Sequence, residues 1–165
     1  MKKSFLICLI FAFVSGFVFA ADPAEGYWIS IDEKTEKDTA GWEVWQEDGI
    51  LYGKIISVAD NPQDVKAGGE NKSYDNFQDG VVVGSLNVVG TTWIWGLTNQ
   101  ADGSWAKGFI IDPDNGSRYK CRIKFHEADE KKYTADTLEM RGEVGPFGRS
   151  QFWKKATKEE ASSLR

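Results

Sequence analysis

The chain has 165 residues, which sets the expectation at one domain. Its formal net charge is −5, and loss of an N-terminal leader carrying Lys2 and Lys3 takes it to −7. An acidic chain with no basic footprint excludes general nucleic-acid binding and polybasic attachment to anionic lipid. One histidine and two cysteines do not make a cluster at metal-ligand spacing, so neither a metal nor another cofactor is expected.

Residues 1–20 have the three-part pattern of a secretory signal peptide. Lys2 and Lys3 supply the charged start, Ser4 to Val14 the apolar core, and Val18-Phe19-Ala20 the cleavage region, with the cut before Ala21. The alternative is an uncleaved anchor, but the apolar run falls short of the ~20 residues a span requires. A lipoprotein signal needs a small residue before its cysteine, whereas Ile7 precedes Cys8. The mature chain is expected in the periplasm or secreted, with no membrane span after cleavage. Residues 21–155 are expected to form the domain and residues 156–165 a polar tail.

In chain order, Tyr27 to Ile31 reads as the first strand and Asp32 to Ala40 as a charged loop. Trp42 to Gln46 and Ile50 to Val58 flank the hairpin signal Glu47-Asp48-Gly49, with Gly53 marking a bulge or sharp bend. Asp60 to Gly80 carries Pro62, paired glycines and many acidic or amide residues. It reads as a long excursion over one barrel mouth. Val81 to Val89 reads as a further strand, interrupted by Gly84. Thr92 to Leu97 and Ser104 to Ile111 follow, joined through Asp102-Gly103.

The clearest pattern comes next. Tyr119, Cys121, Ile123 and Phe125 alternate strictly with Arg118, Lys120, Arg122 and Lys124, the signature of a strand with one buried and one wet face. Asp112-Pro113-Asp114-Asn115-Gly116 supplies the turn before it; a calcium loop would need a downstream glutamate that is missing. His126 to Tyr133 is a charged loop, Thr137 to Gly142 and Gly148 to Lys154 are the last strands, and Ala156 to Arg165 a polar tail with a frayed helix. About eight or nine short strands with glycine-rich turns argue for an all-β fold, either an up-and-down barrel or a sandwich.

No catalytic constellation is visible. His126 sits in a charged loop and no Gly-x-Ser-x-Gly elbow exists. Cys121 falls on the inward face, where a thiol acts as a small hydrophobe. The seven tryptophans are the stronger signal. Trp93 and Trp95 share a face, either as core or as the wall of an apolar ligand cavity. Trp45, between Glu43 and Glu47, is expected to be exposed. Arg149, Gln151 and Trp153 share a face of the last strand. In a closed barrel Arg149 would stack on Trp28 of the first strand, a cation–π contact of about 0.5–2 kcal/mol; the other reading of Arg149 is a partner for a ligand carboxylate. The candidate ligand-binding set is therefore Trp28, Trp93, Trp95, Arg149, Gln151 and Trp153.

Three blocks of residues together resemble the bacterial secreted family known as domain of unknown function 2147. They are Asp22-Pro23 with Gly26-Tyr27-Trp28 and Ile31-Asp32; Glu47 to Ile55; and Gly108, Ile111-Asp112-Pro113, Asn115-Gly116 and Tyr119, continuing to Leu138, Arg141-Gly142, Gly148-Arg149, Gln151 and Trp153. The resemblance implies an antiparallel, lipocalin-like (calycin-type) barrel of the cell envelope and no particular reaction. Many similar chains carry a Cys-x-x-Cys before the middle strands; Glu70 to Gly80 has no cysteine here, so no redox or metal role carries over.

The leading expectation is a non-enzymatic envelope barrel that binds a small apolar or amphipathic ligand. The alternative is a protein–protein module that docks an envelope partner through Trp45, Tyr52 and the Asp60–Gly80 excursion. An enzyme using Arg149 and Gln151 at the barrel mouth ranks third.

Overall fold

Alternation along the chain becomes a closed barrel. The computed structural model describes residues 21–129 and 131–165; the expected leader at residues 1–20 lies outside the described residues. The strands are β1 (Gly26–Ile31), β2 (Asp38–Glu47), β3 (Ile50–Val58), β4 (Thr92–Asn99), β5 (Trp105–Ile111), β6 (Arg118–His126), β7 (Thr137–Val144) and β8 (Phe147–Ala156). Each pairs antiparallel with its chain neighbour, and β8 returns to β1. This is the expected up-and-down barrel, with eight strands. Closure gives every strand a neighbour on both sides, β8 meeting β1 over its last residues.

Tight turns sit where expected. Asp48 and Gly49 both have positive φ, 51° and 78°, the backbone of the primed hairpin turns. At the β5–β6 turn, Asp112 Oδ1 accepts from Asp114 N at 2.9 Å and Oδ2 from Asn115 Nδ2 at 2.9 Å, so the acidic run is a turn.

Cys121, Ile123 and Leu138 point inward and are buried. Burial and then the nearby Glu143 raise the Cys121 thiol above its ordinary pKa, as fits an inert core thiol.

One expected strand is absent. Val81 to Val89 instead holds a 3-10 turn, Val83–Ser85, and a single bridge between Lys66 and Asn87. Val83 N donates to Lys72 O, so this stretch bonds locally within the excursion and not into the sheet. The whole of residues 59–91 is thus one connection from β3 to β4. Part of it borders the barrel mouth, as expected, but most lies against the outer wall. Ile94 pairs with Gly53 and Ile110 on the inward face, which leaves Trp93, Trp95, Phe109 and Ile111 outward. Phe77 packs edge-on against both Trp93 and Trp95. Tyr74 Oη donates to Gly116 O at 2.8 Å, and Lys72 Nζ to Ser117 Oγ at 2.7 Å. Trp93 is fully buried in this second, external core.

The C-terminal segment is also docked. Helix α1 (Lys158–Ser162) starts with a capping box between Thr157 and Glu160 and buries Ala161. Gly41 is required here, because a Cβ would strike the Ala161 carbonyl, which accepts a 2.6 Å bond from Ser57 Oγ. No helix among the described residues is long and apolar enough to cross a membrane.

Candidate functional site

The two ends of the lumen differ. The end holding the β2–β3 and β4–β5 turns, called the base, is filled by Trp28, Trp153, Leu51, Leu97, Ile123 and Leu138, none of them exposed. Trp28 Nε1 donates to Ala24 O and Trp105 Nε1 to Asp22 Oδ1, so the lead before β1 caps the base. Lys155 covers Trp28 with its Nζ 4.2 Å from the ring centroid.

The opposite end, the mouth, holds a solvent-open cavity of about 770 Å³ that runs from the lumen to the rim loops, within the usual range for small-molecule sites. Its floor is Trp42, stacked on Trp153 with ring centroids 4.6 Å apart. Its walls are Ile55 and Val58 of β3, Val88 of the excursion, Ile110 of β5 and Met140 of β7. Space exists because small residues hold several of the inward positions. Ser30, Ala40 and Gly142 line the cavity, and a Cβ on Gly142 would find only Tyr119 Cβ, at 3.7 Å.

Ser30, Gln151 and Tyr119 supply the polar groups within. Ser30 Oγ accepts from Trp42 Nε1 at 3.2 Å and thereby orients the floor. Gln151 Oε1 accepts from Trp153 Nε1 at 3.2 Å.

The rim carries charge. Asp32, Asp38, Asp60, Asp112 and Asp114 line it, against Lys37 and Arg149. Asp32 is held below the usual carboxylate range, first by the Thr35 backbone N–H, then by the Thr35 hydroxyl and Lys34 N–H. Loss of hydration, then the neighbouring Asp112, raises Asp114. Arg149 is tied to Glu33, Nε and Nη2 both 3.0 Å from Oε2, and Lys154 to Asp38 at 2.7 Å. These ion pairs straddle the barrel seam. β1 and β8 pair only from Tyr27↔Ala156 to Ile29↔Lys154, so the mouth half of β8 has no strand beside it there.

The six residues expected at a ligand site do not converge. Arg149 and Gln151 line the mouth cavity. Trp153 lies beneath the floor and Trp28 in the filled base. Trp93 and Trp95 are outside the barrel, under the excursion. The expected Arg149–Trp28 stack is replaced by Lys155 on Trp28. The inward face of β8 was read correctly, because 149, 151, 153 and 155 alternate together. Its height was not: the partner of Trp28 is Lys155, and Arg149 lies six residues, about 20 Å at ~3.3 Å per residue, toward the mouth.

Trp42, Ser30, Ile110, Tyr119 and Met140 were missed, although the same alternation places Trp42 beside Val44 and Tyr119 beside Cys121 on inward faces. Trp45, expected to be exposed, is half-buried and stacks on Tyr52 at 5.7 Å. His126 is not a free loop residue: it ends β6, stacks on Tyr133 and faces Glu139 Oε2 at 2.9 Å. Among the described residues, no three or more of His, Cys, Asp and Glu converge as a metal site.

A family model described as "Uncharacterized protein conserved in bacteria (DUF2147)" matches residues 26–155. Among solved structures, the chain is similar to Helicobacter pylori protein HP1028, described as belonging to the lipocalin family. The TM-score is 0.61 at 16% identity, over 83% of this chain and 85% of that one, a likeness of fold. No curated protein matches the chain.

Proposed function

The chain belongs to DUF2147, a family of uncharacterised bacterial proteins, and from its lipocalin-like barrel we propose that it is a secreted or periplasmic binding protein that holds a small amphipathic ligand in the mouth cavity. The observation that carries this is the contrast within one lumen. The base is packed solid, while at the mouth Ser30, Ala40 and Gly142 leave about 770 Å³ open above Trp42. Apolar walls with a few inward polar groups suit a ligand with an apolar body. The signal-like residues 1–20 support export.

The proposal is non-enzymatic. On the outer wall, Glu139 accepts from Ser150 at 2.7 Å and itself faces His126, so the carboxylate stands between hydroxyl and imidazole. That order does not deliver the serine to a base. The protein-docking alternative through Trp45 and Tyr52 has less support, since these rings pack on each other and, through Trp95 and Phe77, anchor the excursion.

Titration with decanol, followed by tryptophan fluorescence, tests the reading, because Trp42 forms the cavity floor. Saturable quenching is expected, and Gly142→Leu should abolish it by filling the lumen while leaving the fold intact. Unchanged binding in Gly142→Leu would remove the cavity as the site.

A further inference from the structure

We infer that the mouth cavity selects an amphiphile whose head group is cationic, such as a primary amine or guanidinium on an apolar chain. This rests on the binding reading above and adds the sign of the head group. The apolar part of the ligand is set by Trp42, Ile55, Ile110 and Met140. The head must then sit at the rim, where five aspartates stand against one lysine and one arginine, an excess of three negative charges.

Arg149 does not offset this for a ligand, and Lys37 alone faces the aspartates. Arg149 is already paired with the neighbouring Glu33, so that pair contributes no net positive charge. Asp38 is also paired, from outside the cavity, with Lys154. Asp60, just after β3, and Asp114, on the β5–β6 turn, also line the opening. A fatty carboxylate entering here would meet like charge. A protonated amine would meet a field concentrated by the low-dielectric barrel walls.

The acidic groups do not act as a chelating cluster, since no three or more His, Cys, Asp or Glu among the described residues converge on one point. They stand at three places on the mouth of an apolar cavity: the β1–β2 connection, the start of the excursion and the β5–β6 turn. That geometry reads charge sign and tolerates head-group size.

The test compares decylamine, decanol and decanoate, each below its micellar concentration, on the protein expressed from its full sequence. Tryptophan fluorescence reports binding, at low and at 0.5 M salt. Decylamine should bind about tenfold or more tighter than decanoate at low salt, with decanol between them, and the gap should narrow as salt screens the rim. The double variant Asp60→Asn, Asp114→Asn should lose at least about threefold of the amine preference with decanol affinity unchanged. Asparagine is tolerated at Asp60, whose φ is 55°. Equal affinities, or tighter decanoate, would overturn the head-group assignment while leaving the cavity reading standing. Failure of all three chains to bind would overturn both.

Discussion

The base and the mouth of this barrel are built by the same eight strands with the same alternation, yet one is a core and the other a cavity. At the base, inward positions carry Trp28, Leu51, Leu97, Ile123, Leu138 and Trp153, and the β1–β8 seam is hydrogen-bonded. At the mouth, inward positions carry Ser30, Ala40, Gly142 and Gln151, and the seam is spanned by side-chain ion pairs. The difference teaches that patterning closes a barrel, while side-chain volume decides where it is hollow. Stability is therefore expected to concentrate at the base and selectivity at the mouth.

Four substitutions break or sharpen that contrast. Trp153→Ala removes both the floor's support and a fully buried ring, and should cost about 3–5 kcal/mol in denaturant unfolding. A loss under about 1 kcal/mol would mean that the base is not the stabilising half. Leu138 and Met140 are successive inward residues of β7, on either side of the divide. Leu138→Ala, in the packed base, should cost about 2–5 kcal/mol. Met140→Ala, whose side chain already borders open space, should cost only about 1 kcal/mol and should change ligand affinity instead. Equal losses at the two sites would erase the distinction. Smallest is Arg149→Ala at the rim, which breaks an exposed ion pair with Glu33. Its thermal shift should correspond to less than ~1 kcal/mol, and a larger shift would make the seam at the mouth as structural as the one at the base.

Much of the fold was legible along the chain because each strand had a local signature. The β6 alternation from Arg118 to Phe125, the Asp48-Gly49 turn and the Asp112–Gly116 turn carry their own backbone reasons. Val81 to Val89 was misread for the same cause. An apolar run without a partner strand looks like a strand, but Val83 is spent covering the outer wall near Gly116. The candidate site was half legible. Arg149 and Gln151 were assigned to the right face, and Trp93 and Trp95 to a shared one, but a shared face does not say whether it is lumen or outer wall. Ser30, Ala40 and Gly142 passed unnoticed because a cavity is signalled by what is small, and small residues are ordinary in strands.

What the chain alone determined is the all-β class, the alternation that puts residues of one strand on a shared face, and the acidic, turn-rich character of the connections, all of which depend on neighbours within a few residues. Only the tertiary structure decided at what height each inward residue stands, and so that Lys155 and not Arg149 covers Trp28. It also decided that residues 59–91 fold down over Trp93 and that five aspartates from three connections line one opening. The physical reason is register and closure. Heights in a barrel follow from pairing between strands far apart in sequence, and no local period records them.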